Sequence, residues 1–160
     1  MPAATIASTG RAAELLLVED NYGDVLLARE AFLTAKIRNN LVVAGDAEEA
    51  LRMLRREGRH ANQVRPDLIL LDLNLPRMDG RELLKLIKAD AEWSAIPVII
   101  MTSSKAEADV LQSYELCANG YIVKPVNFER LREIVDALEV FWFEVVVLPP
   151  NPLAGQSRAA

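Results

Sequence analysis

Most of the short apolar runs in the chain are followed at once by polar side chains that could take part in chemistry. In chain order these are Glu19 and Asp20, Asp72, Thr102 and Lys124. Three carboxylates held close together repel one another, and a hard divalent cation such as Mg²⁺, which binds oxygen ligands, relieves that repulsion. A carboxylate nucleophile, a metal site, a lysine cation and a hydroxyl donor are together what phosphoryl transfer needs, because its catalysis is mainly positioning and charge neutralisation.

Each acidic residue also has a purely structural interpretation. Asp20 could be the N-cap of the first helix and Asp79 that of the third. Asp72 is harder to explain in this way, because it ends an apolar run and the next basic residue along the chain is Arg77. A carboxylate buried without a partner is costly, which favours a functional interpretation of Asp72.

The lysine and the threonine have structural interpretations as well. Lys124 could be an ordinary exposed lysine after a strand, although the Pro125 that follows can fix the local direction of the chain. Thr102 could cap the fourth helix, a role that Ser103 or Ser104 could fill equally well. Beside three carboxylates, however, a lysine would pair with them or with an anion held by their metal.

The apolar runs alternate with longer amphipathic stretches. The runs predict strands at 14–18, 40–44, 67–72, 98–101 and 121–123. The stretches predict helices at 22–35, 46–57, 81–90, 105–118 and 127–148. This alternation predicts an α/β fold, a doubly wound five-stranded parallel sheet with five helices on its two faces. In the common order 2-1-3-4-5 the first and third strands are neighbours, so Glu19, Asp20 and Asp72 are expected to meet at their carboxyl ends.

The totals limit the class of protein. The chain has 160 residues, a formal net charge of −5 and a pI near 5.0, which argues against a nucleic-acid partner. We expect one domain over 12–148 with flexible tails at 1–11 and 149–160. The single cysteine, Cys117, is expected to be a small core residue in a reducing compartment. Without a signal peptide or a run of about 20 apolar residues, we expect a soluble cytoplasmic protein with no membrane partner.

Four separated motifs resemble the receiver domain of two-component response regulators, over about residues 12–140. They are the acidic pair in LLVEDN, DLILLDLNLPRMDG around Asp72, VIIMTSS around Thr102 and YIVKP around Lys124. The resemblance implies a CheY-like, flavodoxin-like receiver fold. It also implies that Asp72 accepts a phosphoryl group from a sensor histidine kinase.

The same resemblance implies roles for the neighbouring residues. The implied ligands of Mg²⁺ are the side chains of Asp20 and Asp72 and the backbone carbonyl of Asn74, with Glu19 acting through water. Lys124 would pair with the phosphoryl group and Thr102 would donate a hydrogen bond to it. Tyr121 is similar to the switch aromatic that turns inward when Thr102 moves. The peptide bond between Lys124 and Pro125 would be cis.

Within the family, the closer resemblance is to the small response regulators that partner bacterial phytochromes. It is carried by the stretches NYGDVLLAREAF, RPDLILLDLNLPRMDGRELL and SYEL and by the tail FWFEVVVLPP. This implies a phytochrome-type photoreceptor kinase as donor and a single-domain regulator without an output domain. Such a protein promotes its own phosphorylation and dephosphorylation and is not an enzyme that turns over a substrate. Cys117 departs from the resemblance, because glycine is common at its position.

The C-terminal helix predicted at 127–148 changes character halfway along. Its first half is amphipathic, whereas residues 140–148 are apolar on every side apart from Glu144. This half could fold back over its own domain. The alternative that we favour is a homodimer through Phe141, Trp142, Val145 and Leu148.

Two other functions remain open on the sequence. An aspartate-nucleophile phosphatase would resemble this chain in its sheet, but it carries D-x-D-x-T after the first strand, whereas D-x-N here follows the third. A receiver-like dimeric scaffold that works without phosphorylation would be indicated by loss of Asp72, Lys124 or a member of the acidic pair. All of these residues are present.

Overall fold

The computed structural model describes residues 2–125 and 127–152, and its centre is a five-stranded sheet. The strands are β1 (Ala13–Val18), β2 (Asn39–Ala44), β3 (Leu68–Leu71), β4 (Val98–Thr102) and β5 (Gly120–Val123). Neighbouring strands pair in parallel in the order β2-β1-β3-β4-β5. The predicted doubly wound parallel sheet is therefore confirmed, including its strand order.

Within residues 2–125 and 127–152, six α-helices accompany the sheet, one more than predicted. They are α1 (Ile6–Thr9), α2 (Tyr22–Leu33), α3 (Ala47–Arg55), α4 (Gly80–Ala89), α5 (Glu107–Glu115) and α6 (Phe128–Glu139). A short 3₁₀ turn covers Gly58–His60, and a π-helical segment, Val140–Val145, continues α6. Among the helices of the described residues, none combines the length and the apolar character needed to cross a bilayer.

Side-chain caps fix where several helices begin. The capping side chains, each of which accepts a hydrogen bond from a backbone N–H of the first turn, are Asn21, Asp46, Asp79 and Asn127. Asp79 is thus a helix cap, as its structural interpretation proposed, but Asp20 precedes the cap and is not one. Thr102 is not a cap either, because α5 begins at Glu107 after Ala106, which has no capping side chain.

The hydrophobic core lies on both faces of the sheet. Successive residues of β1 alternate between the faces: Leu15 and Leu17 pack with α1, α2 and α6, whereas Leu16 and Val18 pack with α3 and α4. Every residue of β1, β3 and β4 is buried, as expected for strands covered on both sides. The sheet is therefore a rigid base for the residues that follow these strands.

Residues from both predicted tails contact the domain. Within the predicted tail 1–11, the side chain of Ile6 is buried at 3% exposure in the core cluster that contains Phe32, and Gly10 ends α1 with a φ of 71°. Arg11 makes a bidentate ion pair with the buried Asp67, at 2.8 and 2.9 Å. Asp67 also accepts a hydrogen bond of 3.1 Å from Asn151 in the predicted tail 149–160. Ile6, Arg11 and Asn151 are thus held against the domain by burial of one apolar side chain and by pairing of one buried carboxylate. Residues 153–160 of the second tail lie outside the described residues.

The predicted extended C-terminal helix is present, but it is shorter than predicted, and its end packs in part against its own domain. Regular α-helix ends at Glu139, the π-helical segment ends at Val145, and the backbone is extended from Val146. Phe143 is 1% exposed, packed in the core cluster that contains Phe32 and Val135. Of the four predicted dimer residues, Trp142 and Leu148 pack partly against this same cluster. The other two, Phe141 and Val145, are 52% and 62% exposed.

One buried acid joins the end of α6 to the loop before β2. Glu139 is 3% exposed, and its Oε2 accepts a hydrogen bond of 2.8 Å from the backbone N–H of Ile37. Burial raises the pKa of Glu139, and the charges of Asp136 and Glu144 add to this, whereas the hydrogen bonds from backbone N–H groups oppose it. The fold therefore favours the neutral form of this carboxyl group.

We predict that Glu139→Gln stabilises the protein relative to the wild type as the pH rises. Because the pKa of Glu139 is higher in the folded than in the unfolded state, its contribution is present in full below the unfolded value of about 4.3 and is lost as the pH rises through the folded value. Glutamine keeps the acceptor for Ile37 and cannot ionise. Urea unfolding from pH 4 to pH 8 should show the difference growing with pH. The matched control, Glu133→Gln at an exposed position of α6, should show no such trend.

Candidate functional site

Three carboxylates meet at the carboxyl edge of the sheet, as the strand order predicts. Glu19 and Asp20 follow β1 and Asp72 follows β3, and one oxygen atom from each lies within 4.8 Å of the other two. Backbone hydrogen bonds hold the first and last in place: Glu19 N–H donates to Ala44, and Asp72 N–H donates to Val18. Glu19 and Asp72 are buried at 3% and 5% exposure, whereas Asp20 is exposed.

Lys124 is the cation of this cluster. Its Nζ lies 2.8 Å from Glu19 Oε2, 2.8 Å from Asp24 Oδ2 and 2.9 Å from Asp72 Oδ2. Its backbone N–H donates to the carbonyl of Thr102, which ties the end of β5 to β4. Sequence reasoning missed Asp24. The available signal was its position in the first turn of α2, which begins directly beyond the acidic pair.

Burial and charge shift the protonation equilibria of the cluster. The pKa of Glu19 is raised to about 7, chiefly because its burial penalises the charged form and also because Asp72 is nearby, while the hydrogen bond from Lys124 opposes the shift. Burial acts to lower the pKa of Lys124, but hydrogen bonds to Asp24, Glu19 and Asp72 outweigh it, so that this pKa is raised. The ammonium is thus firmly protonated, whereas the Glu19 carboxyl ionises less readily than an exposed glutamate, mainly because it is buried.

Thr102 and Tyr121 occupy the neighbouring strands β4 and β5. Thr102 is fully buried, and its Oγ1 is 3.5 Å from Asn74 Nδ2. The backbone N–H of Asn74 donates to Asp72 Oδ1 at 3.2 Å, so the residues on either side of Leu73 are linked. Tyr121 packs against the core, and its hydroxyl donates to the carbonyl of Ser104 at 2.9 Å. The hydroxyl of Thr102 and the carboxylate of Asp72 therefore flank the same residue, Asn74.

The prediction of a cis peptide bond between Lys124 and Pro125 is wrong. The described residues contain no cis peptide bond, and both partners of this bond are described. The trans form is the intrinsically favoured one before proline, by about 0.5–1 kcal/mol. Lys124 reaches Asp72 with the trans bond in place.

The acidic cluster fits a hard divalent cation. All three side chains offer a carboxylate oxygen, and these oxygens lie within 4.8 Å of one another, so one cation can bind between them. Asp20 is exposed, so one side of the cluster is open to water, and divalent ions bound by few carboxylates keep several water ligands. The site can therefore gather a cation, a carboxylate nucleophile and an ammonium around one anionic group.

Comparison with known proteins shows the family to which the chain belongs. The protein-family model that describes the response regulator receiver domain matches residues 15–136 of this chain. The response regulator Rcp1 of Synechocystis sp. (strain PCC 6803) is 44% identical over 135 residues, which are 84% of this chain and 92% of that protein. The crystal structure of the phosphorylated cyanobacterial phytochrome response regulator RcpA is 44% identical, with a TM-score of 0.82 over 87% of this chain and 99% of that one.

A second solved structure is relevant to the metal. The Mn²⁺-bound form of Rcp1 is 43% identical to this chain, with a TM-score of 0.80 over 86% of this chain and 99% of that one. Receiver domains bind a divalent metal ion, and the acidic cluster of this chain provides carboxylates for one. With the family model matching residues 15–136 and a curated relative at 44% identity, the chain belongs to the response regulator receiver domain family of two-component signalling.

Proposed function

We propose that this protein accepts a phosphoryl group from a histidine kinase on Asp72, with the help of Mg²⁺. The observation that carries the proposal is the position of Lys124 Nζ, 2.9 Å from Asp72 Oδ2, inside an acidic cluster in which Glu19 and Asp72 are buried. A buried carboxylate whose neighbours are a cation and two further acids is suited to receive an anionic group and to share its charge.

The proposed ligands of Mg²⁺ are those that the family resemblance implies. Asp20 and Asp72 would bind it through their side chains and Asn74 through its backbone carbonyl, with Glu19 acting through water. When bound, the ion supplies positive charge that offsets the charge on the phosphoryl oxygens during transfer.

Asp72 is the nucleophile of the proposed transfer. An oxygen of Asp72 attacks the phosphorus, the new P–O bond forms, and the bond to the donor histidine nitrogen or to acetate breaks with its electron pair leaving on the donor. Lys124 then pairs with a phosphoryl oxygen instead of with Asp72. The Thr102 hydroxyl donates to a second oxygen, and Tyr121 responds on the adjacent strand. A shift between two populated states of this region would carry the signal.

The rival functions have less support. In a scaffold that works without phosphorylation, burying Asp72 beside Lys124 would cost desolvation free energy and serve no function. For a phosphatase, the nucleophile follows β3 and not the first strand. We propose that the protein promotes its own phosphorylation and dephosphorylation and is not an enzyme with turnover.

Incubation with acetyl phosphate and Mg²⁺, followed by intact mass spectrometry, tests the proposal. The wild type should gain the mass of one phosphoryl group in a hydroxylamine-sensitive adduct. Asp72→Asn should gain none, while the matched control Asp136→Asn, at an exposed position of α6, should be labelled like the wild type. A folded wild-type protein that takes up no label would favour the scaffold.

We propose a phytochrome-type histidine kinase as the donor, acting in the cytoplasm where the kinase has access to ATP. The support is that RcpA is a phytochrome response regulator and that another similar structure, of 39% identity, is a bacteriophytochrome response regulator. Transfer of label from an autophosphorylated phytochrome kinase should be much faster than from an unrelated sensor kinase. Equal rates from both would count against the phytochrome link.

We propose further that two copies associate through the exposed part of the C-terminal segment. Phe141 and Val145 remain half or more exposed, although Phe143 beside them is buried in its own domain. Light scattering should find a dimer for the wild type and a monomer for Phe141→Glu. Leu111→Glu, at an equally exposed apolar position of α5, is the control and should stay dimeric. A monomeric wild type, or a dimeric Phe141→Glu, contradicts this proposal.

A further inference from the structure

An ion pair joins helices α4 and α5 beside the site, and the function proposed above does not use it. Arg81 Nη2 lies 2.7 Å from Asp109 Oδ1, and its Nη1 contacts both carboxylate oxygens of Asp79 at 3.1 and 3.2 Å. The guanidinium is thus held from two sides, which leaves only 21% of the Arg81 side chain exposed. A planar guanidinium fixed in this way gives its partner a defined position.

The second oxygen of Asp109 holds the loop that follows β4. Asp109 Oδ2 accepts a hydrogen bond from the hydroxyl of Ser104, and the same hydroxyl accepts one from the backbone N–H of Ala106 at 3.3 Å. The carbonyl of Ser104 accepts the hydrogen bond from Tyr121. Ser104 is therefore fixed by its side chain and by its backbone at once, two residues after Thr102.

The charges support this arrangement. The hydrogen bond from Ser104, followed by the one from Arg81, lowers the pKa of Asp109, so the carboxylate is ionised throughout the neutral range. The loop 103–106 otherwise has no capping side chain at Ala106 to hold it at the start of α5. Asp109 therefore holds the side chain of Ser104, while Tyr121 holds its carbonyl, and Arg81 in turn holds the side chain of Asp109.

We infer that Asp109, held by Arg81, is a positioning residue that fixes the loop 103–106 and thereby aims the Thr102 hydroxyl at the phosphoryl group on Asp72. The inference rests on the proposed function and adds to it a residue outside the cluster. Because the link passes through Ser104 and not through the metal ligands, it exists before any phosphoryl group or cation is bound. Loss of the link should loosen the loop first and slow phosphorylation as a result.

Hydrogen exchange and acetyl phosphate labelling of Asp109→Asn and Arg81→Gln test the inference in the full chain. In metal-free, unphosphorylated protein, the amides of 103–106 should exchange about threefold faster in both variants, since a partly exposed ion pair contributes modestly. Labelling of Asp72 should be about threefold slower. The matched control, Arg130→Gln at the exposed pair with Glu133 on α6, should change neither quantity.

A double-mutant cycle separates positioning from a general loss of structure. If Asp109 acts through Thr102, Asp109→Asn should slow labelling no further in a Thr102→Ala background. The inference would be overturned if the two substitutions slowed labelling independently, so that their fold-changes multiplied, or if hydrogen exchange of the amides of 103–106 were unchanged. In either case the wild type would still be labelled, so the proposed function would stand. A wild type that is never labelled would overturn both, because Thr102 would then have no phosphoryl group to meet.

Discussion

Gly80→Ala is expected to destabilise the protein by at least about 3 kcal/mol, because the added methyl group has no space. A Cβ at this position would lie 2.2 Å from the carbonyl oxygen of Asp72 and 2.7 Å from the Cα of Leu73. Both are backbone atoms at the exit of β3, so no side-chain rotation can relieve the clash. The backbone of α4 is also bound there, since Gly80 N–H donates to the carbonyl of Leu73 at 2.9 Å.

The same substitution should affect the site, because the atoms that must move belong to Asp72 and Leu73. Urea unfolding gives the loss of stability, and acetyl phosphate labelling of the folded fraction gives the loss of function. Gly45→Ala is the control: its Cβ would meet only the flexible end of Glu49, at 3.8 Å, and the unfolding free energy should change by less than about 0.5 kcal/mol. If the two variants were equally stable, the prediction would be wrong, because the start of α4 would then be able to move and relieve the clash.

The sequence was a good guide to the sheet because burial on both faces leaves a simple pattern. β1, β3 and β4 are apolar apart from Glu14 and Thr102, and the structure buries every residue in them. The meeting of Glu19, Asp20 and Asp72 was predictable for the same reason, since parallel neighbouring strands end at one edge. Helix α1 was not predictable in this way, because four residues are too few to show a period of 3.6.

Other features depended on geometry that no local pattern records. Asp24 joins the cluster only because α2 begins at Tyr22 and directs its first turn toward Lys124. Cys117 was expected in the core, but it is exposed and has a φ of 70°, a left-handed conformation that favours glycine. The observation that glycine is common at this position in the family was therefore a better guide to the conformation of Cys117 than its apolar character. The isomer of the bond before Pro125 could not be read from the dipeptide, since both forms are accessible.

The C-terminal segment shows the limit of helical periodicity. An apolar stretch on every side predicts burial but not against what, and a regular helix would place Phe141, Trp142, Phe143 and Val145 around the axis. The wider π-helical turns of Val140–Val145 return Phe143 to the core and leave Phe141 and Val145 outside. Folding back over its own domain is therefore confirmed for Phe143, whereas the homodimer stays a prediction that the exposed Phe141 and Val145 leave open.

Lys124→Met is expected to lower the unfolding free energy by about 3 kcal/mol or more in the absence of divalent ions. Lys124 is the partner of two buried carboxylates, Glu19 and Asp72, and removing one member of a buried pair leaves uncompensated charge. Part of this loss should return when Mg²⁺ is added, because a cation that binds only the folded state stabilises it by mass action. Thermal or urea unfolding with EDTA and with Mg²⁺ measures both effects.

The size of the stabilisation by Mg²⁺ in Lys124→Met, compared with the wild type, shows whether Mg²⁺ and the Lys124 ammonium bind the same carboxylates. The ammonium of Lys124 already occupies oxygens of Glu19 and Asp72, and it repels a second cation, so its removal should increase stabilisation by Mg²⁺ relative to the wild type. Labelling by acetyl phosphate should nevertheless fall, since no ammonium remains to pair with the phosphoryl oxygens. Lys85→Met, at an exposed position of α4, should respond to Mg²⁺ like the wild type. If Lys124→Met and the wild type gain equally from Mg²⁺, the cation does not bind at the carboxylates that Lys124 contacts, and the proposed metal site would be wrong.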